Sequence, residues 1–401
     1  MALPAITCSA VLAQTPPAAA AARPPVDTAF WSHIGTSARA KAVELLGTRQ
    51  ETNRNVVTQY REALAQMERG QWDSANTQLQ AILIRAQTNP VYQGDFAYTL
   101  ARKGDFENAG NIFTRAYQLQ QQNAWFVVAI AAARAGHEQW SDAAGTIQLA
   151  AQTDSSVMDL AVVTNAVTWF QRANDRGGAM LYAHKAALLG SHEPVVELLN
   201  SQYLYARGDS SGEGVAAIRR YIAVRPDDPQ GQALFAVYLV NAGQVDSALT
   251  LSAASASRDS AYWDTAARIH LYAGRERLQR RDPEGAIRYL TTAKNWAADS
   301  LKPTFANLTG RAQLMQANTR LQAFTDPPAC TAAHGVDSLV TDAERNLRAG
   351  MASDSARVAS LLENIVPALK NNAANAVRSC REPSATPAPS RTPARPARPR
   401  P

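Results

Sequence analysis

The sequence predicts an all-α protein assembled from tandem helix pairs, and three observations carry that prediction. Roughly one residue in five is Ala, the strongest helix former, and charged residues make up only 18% of the chain. A class pattern recurs about every 34 residues. Proline is expelled to the ends: 12 of the 21 Pro lie in residues 1–26 and 381–401. With 46% hydrophobic residues the chain as a whole is not a disordered one.

The period shows in Gly70, Trp72, Ala75, Leu79 and Ile82. An offset of 34 gives Gly104, Phe106, Ala109, Phe113 and Ala116, and a second offset gives Ala143, Ile147 and Ala150. With small shifts the trace continues through Ala179, Ala183 and Ala186, then Gly214, Ile218 and Tyr221, then Ala248, and finally Ala286, Leu290 and Ala293. Each unit reads as two helices. The first ends on a Gly (Gly70, Gly104, Gly136, Gly208, Gly243), the residue that most readily turns left-handed. The second opens with an Asp (Asp73, Asp142, Asp246), which can cap free amides and oppose the helix dipole. The small residue that follows lets the two helices approach. Pro90, Pro194 and Pro226 fall where a helix must stop.

Phe96, Ala97 and Leu100, then Trp125, Val128, Ala129 and Ala132, then Phe235, Ala236, Leu239 and Gly243 form a large–small–large pattern on the first helix of successive units. In this the chain resembles the tetratricopeptide repeat (TPR) family of 34-residue helix–turn–helix units. The resemblance covers roughly Asn55 to Ala298, six or seven units. It implies a right-handed superhelical solenoid whose first helices line a concave groove that binds peptide or helix segments of protein partners. By alignment, Tyr60, Leu64, Tyr98, Phe126, Ile130, Leu198 and Tyr205 point into that groove, or pack against the neighbouring helix. Arg102, Arg134, Arg172 and Arg280 share one place near the end of a first helix. They bind a ligand carboxylate there, or simply complement the helix dipole. The candidate site is therefore Tyr98, Arg102, Phe126, Arg134, Arg172 and Tyr205.

The expected organisation is a signal-peptide-like segment and Pro/Ala-rich linker over 1–26, an N-terminal helical cap over 27–54, repeats over 55–302, a C-terminal helical capping region over 303–380 and a disordered Pro/Arg-rich tail over 381–401. In the capping region three helices are expected: Thr304–Thr325, Thr331–Ala349 and Asp354–Arg378. Val11-Leu12-Ala13 before Gln14 suggests cleavage after Ala13 and hence an exported, periplasmic or extracellular protein. Cys330 and Cys380 would then be the only cysteines, at neighbouring ends of a helix hairpin. They form a disulfide or remain two free thiols. The tail supplies +4 of the net charge of +6, a weak attraction for polyanions.

No pairing of the six His, no phosphate loop and no nucleophile motif is apparent, so neither a catalytic nor a metal site, nor a cofactor, is expected. The leading reading is an exported protein-interaction scaffold without enzymatic activity. The alternatives are a polyanion or glycan binder at the cell envelope, using the Arg ladder and the tail, and a structural subunit of a larger envelope assembly.

Overall fold

The computed structural model describes residues 27–49 and 51–381. The signal-peptide-like segment and the C-terminal tail lie outside them, apart from Arg381. Among the described residues the chain is helical with no strand, and it divides into two compact units, one ending at Phe235 and one starting at Ala236.

The first unit begins with α1 (Thr28–Leu46). Five helix pairs follow: α2 (Arg54–Glu68) with α3 (Trp72–Leu83), α4 (Pro90–Arg102) with α5 (Phe106–Leu119), α6 (Ala124–Gly136) with α7 (Trp140–Thr153), α8 (Leu160–Arg172) with α9 (Arg176–Leu188), and α10 (Pro194–Ala206) with α11 (Glu213–Val224). From α2 to α11 each helix packs on the next. The division falls within α12 (Pro229–Asn241). The second unit holds α13 (Val245–Arg258), α14 (Trp263–Gln279), α15 (Pro283–Ala293), α16 (Lys302–Gln322), α17 (Cys330–Ala349), α18 (Ser355–Ser360) and α19 (Val366–Ser379).

The recurring small residues sit where they must. Ala75, Ala109 and Ala143 are all fully buried, as are the apolar residues Leu79, Phe113 and Ile147 one turn further on. A methyl group at that position sets how closely two helices approach, so a larger side chain has no space to enter.

The helix ends differ from the sequence reading in two ways. Asp73, Asp142 and Asp246 lie inside the first turn of their helices, and the residues before these helices form no side-chain cap. Those aspartates oppose the dipole from inside the first turn, and two of them also hold neighbours: Asp73 pairs with Lys103 and Asp246 accepts from the Tyr289 hydroxyl. The capping carboxylates are instead Asp105, which accepts from the Asn108 amide, Asp175, which accepts from Gly178, and Asp282, which accepts from Gly285. Secondly, Gly136 does not end its helix by turning left-handed. That role falls to Glu138, at φ 62°. Gly136 is small because a Cβ there would stand 2.7 Å from the Phe106 ring.

Two helices of the capping region run close to the expected bounds. The third is interrupted: α18 and α19 are separated by a π-helical turn over Leu361–Ile365. Pro367 explains the interruption, because its ring collides with the carbonyl four residues back and a wider turn relieves this. Cys330 and Cys380 are joined in a disulfide, closing α17 and α19 into one loop.

His270 on α14 is 3% exposed, bonds through Nδ1 to the Ala266 carbonyl and meets the Trp296 ring edge-on at 5.4 Å. Burial pushes its pKa below the ordinary value, with the Ala266 carbonyl opposing.

Two outcomes follow from this packing. Ala109→Leu should cost about 1–3 kcal/mol by overpacking, read as a lowered melting temperature. An unchanged one would place the residue outside a helix contact. Above about pH 6.5 neither the folded nor the unfolded chain protonates His270; as pH falls, the unfolded chain takes up the proton first and the fold loses stability. Thermal unfolding at about pH 5 and about pH 7.5 should show a larger drop for the native chain than for His270→Phe. Parallel drops in the two proteins would refute the assignment.

Candidate functional site

The helix before the repeats lies on the face formed by first helices. α1 packs mainly on α4 and α6, the first helices of the second and third pairs. Its buried residues are Phe30, Trp31, Ile34, Gly35, Ala38 and Ala42, a stripe at helical spacing. Asp27 starts the helix by accepting from the amides of Ala29 and Phe30.

Each turn of that stripe has a partner. Phe30 meets Trp169 edge-on at 6.0 Å, while Trp31 stacks on Phe106 and Phe113 at 6.1 and 6.3 Å. Gly35 lies against Tyr98, so close that a Cβ would stand 2.7 Å from the ring. Further along, the Asn123 side-chain amide donates to the Ala38 carbonyl and the Gln120 amide to the Ala42 carbonyl, each at 3.1 Å. These bonds hold the α1 backbone itself, which side-chain packing alone would leave free to slide. At the other end His33 Nε2 lies 2.6 Å from Asp159 Oδ2.

The electrostatic centre is Asp95 on α4, 1% exposed. Arg39 of α1 donates through Nε to both carboxylate oxygens, at 2.8 and 2.9 Å, and the Tyr60 hydroxyl donates to Oδ2 at 2.5 Å. Burial raises the Asp95 pKa, while Arg39 and Tyr60 act against it. The Tyr60 phenol is raised strongly, by burial first and then by the Asp95 charge, and so remains a donor. Burial alone would lower the Arg39 pKa, but Asp95 reverses this. A buried carboxylate stripped of its cation is costly, so this pair ties α1 to the repeats.

The residues singled out from the sequence fall into three groups. Tyr98 and Arg102 come together: Arg102 Nη1 donates to the Tyr98 hydroxyl at 2.7 Å, and its guanidinium lies 4.2 Å from the centre of the Trp72 ring. Both line a cleft of about 480 Å³ between α1 and the α2–α3 pair. Phe126 is fully buried against Phe113, under Gly94, so it belongs to the core and not to a groove wall. Arg134, Arg172 and Tyr205 are not gathered with the first two. Arg134 donates to the Thr146 hydroxyl, Arg172 lies 5.9 Å from the Trp140 ring, and Tyr205 is half-buried on α10. Arg102 and Arg172 thus make the same clamp, each reaching an aromatic residue at the start of the preceding second helix. Arg280, the remaining member of the ladder, pairs with Glu276 on its own helix.

Sequence reasoning missed Arg39, Asp95 and Gln202. An Asp in the apolar run from Val91 to Leu100 was a usable signal. Gln202, 1% exposed, lines a cavity of about 570 Å³ along α10 with Pro194, Leu198 and Val224. Its Oε1 accepts from Arg176, while its Nε2 is buried without a hydrogen-bond partner. Among the described residues no group of three His, Cys, Asp or Glu could hold a metal ion, and no helix is long and apolar enough to cross a membrane.

The architecture is that of a helical-repeat protein: helix pairs in tandem, each covering the next. Solved structures similar to the chain include a tetratricopeptide repeat protein from Parabacteroides merdae, at 12% identity and a TM-score of 0.36 over 65% of this chain and 99% of that one. Another is YrrB, a TPR protein with an unusual peptide-binding site, at 18% identity and a TM-score of 0.34 over 47% and 94%. A third is the TPR2AB domain of yeast Sti1 in complex with an Hsp90 peptide, at 13% and 0.24 over 54% and 95%. No protein-family model matches the chain, and no curated protein sequence matches it.

A double-variant cycle tests the Arg39–Asp95 tie. Arg39→Gln alone should destabilise the first unit by about 3 kcal/mol and speed amide exchange in α1. The double variant Arg39→Gln, Asp95→Asn should recover part of that loss, because no charge is left buried. A double variant as unstable as the sum of the singles would show that the two groups are not coupled.

Proposed function

We propose that this protein is a protein-interaction scaffold, without enzymatic activity, that binds peptide or helix segments of its partners on the first-helix face of its repeats. The observation that carries the reading is α1. A 19-residue amphipathic helix is already held on that face by aromatic packing, a buried ion pair and amide bonds to its carbonyls. The face therefore has the chemistry that captures a helix, and it uses it in cis. The cavity beside Gln202 adds a place for a partner. An orphaned amide donor there fits a main-chain carbonyl from a bound segment.

We further propose that the protein works in an exported, oxidising compartment. The Cys330–Cys380 disulfide supports this, because such bonds persist outside the reducing cytosol. The polyanion reading gains no support from the arginine ladder. The charges of Arg102 and Arg172 rest on tryptophan rings instead of forming a free cationic strip.

A photo-crosslinking side chain at Val224, in the wall of that cavity and 63% exposed, tests the reading in the native host. It should crosslink a discrete protein, and the product should vanish when Gln202→Leu removes the amide donor. The same group at Leu188, 74% exposed at the end of a second helix, should give none. Equal products from the two positions, or a Val224 product indifferent to Gln202→Leu, would refute it.

A further inference from the structure

A further cavity lies within the second unit. It has a volume of about 910 Å³, with α16 as floor, α14 as one wall and α18, the π turn and α19 as the other. That volume lies within the ~300–1,000 Å³ range of small-ligand sites. Two chemistries meet in it. Leu278, Leu308, Met315, Ile365 and Leu369 line it with aliphatic surface. Arg275, Arg311 and Arg357 converge from three different helices.

Arg311 is the unusual member. It is half-buried on the floor, and no carboxylate among the described residues lies within ion-pair distance of it. Burial lowers its pKa, with the charges of Arg357 and Arg275 adding to the effect and Asp354 alone opposing it. Asp354 is already engaged as a helix cap, accepting from the Arg357 amide. Three guanidinium groups facing one carboxylate are a local excess of positive charge that the protein itself does not neutralise. Asn307, 4% exposed, adds a second unsatisfied group beside Arg311 on α16. Its Nδ2 donates to Ser353 Oγ, while its Oδ1 is buried without a donor.

We infer that this cavity binds an anionic amphiphile, with an alkyl chain on the aliphatic wall and a carboxylate or phosphate head at Arg311 between Arg275 and Arg357. The excess charge selects an anion, and a guanidinium fork suits an oxyanion. The aliphatic wall selects an alkyl tail. Among the described residues no aromatic ring lines the cavity, so a nucleotide base finds no stacking surface there. The π turn places Leu361 and Ile365 at the cavity, with Ile365 45% exposed at its lip. A protonated phosphate monoester carries both anionic oxygens and a hydroxyl, which satisfies the orphaned Asn307 acceptor. A carboxylate satisfies only the arginines.

Isothermal titration calorimetry on the full chain tests this, with laurate, dodecyl phosphate and dodecyltrimethylammonium below their micelle concentrations and inorganic phosphate as the head alone. Both anionic amphiphiles should bind saturably at one site, dodecyl phosphate more tightly, while the cationic amphiphile gives no saturable heat. Arg311→Gln should weaken dodecyl phosphate at least tenfold with an unchanged far-UV circular dichroism spectrum. Ile365→Glu, at the exposed lip, should weaken both anions with the fold equally intact. Inorganic phosphate should bind far more weakly than dodecyl phosphate. Absence of saturable binding by both anions, equal binding of the cation, or full affinity in either variant would overturn the assignment.

Discussion

A two-helix hairpin cannot bury its own apolar face, and everything else in the molecule answers to that constraint. Helices such as α6, with Phe126 through Ala133 all buried, are apolar around most of their circumference. Such a helix needs neighbours on several sides. The next pair supplies one side, and the fully buried Ala75, Ala109 and Ala143 let it come close enough. The first-helix side remains, and α1 covers it over α4 and α6. Phe30, Trp31, Ile34, Ala38 and Ala42 do there what an external ligand does in a groove left open.

Covering that side has a polar part. Asp95 is buried in the middle of the covered face, where an unpaired carboxylate would be strongly unfavourable. Arg39 and Tyr60 satisfy it, one from α1 and one from α2. The pair therefore fixes which residues of α1 stand opposite α4, a register that aliphatic contacts alone would define poorly. Gly35 adds a steric condition, since only a residue without a side chain fits under Tyr98. The proposed binding activity rests on these same interactions, because whatever displaces or extends α1 has to meet them.

The second unit applies the same rule to the end of the chain. α17 and α19 pack together and are closed by the Cys330–Cys380 disulfide, while the π turn before Pro367 shifts the facing of α18 relative to α19. The cavity between that turn, α14 and α16 is not filled by the described residues, and Arg311 lies on its floor. A closed core would not leave a guanidinium half-buried without a carboxylate.

The repeat period, the two-helix unit and the small residues at the crossings were legible in the sequence, because they are local. Helix propensity, capping residues and a 34-residue spacing act over one or two turns or one hairpin. Even the places where local reading went astray were local: Gly136 is small for Phe106, and Glu138 makes the turn. The fate of the first-helix face was not legible. Tyr98 and Phe126 read alike as aromatic residues on first helices, yet one lines a cleft and the other is sealed in the core. Arg102 and Arg172 read as a ladder, yet each is spent on a tryptophan of the preceding pair. The pairing of Arg39 with Asp95, 56 residues apart, and the meeting of Arg275, Arg311 and Arg357 follow from how helices dock. Docking is set by the joint packing of many side chains from distant segments, and no spacing along the chain encodes it.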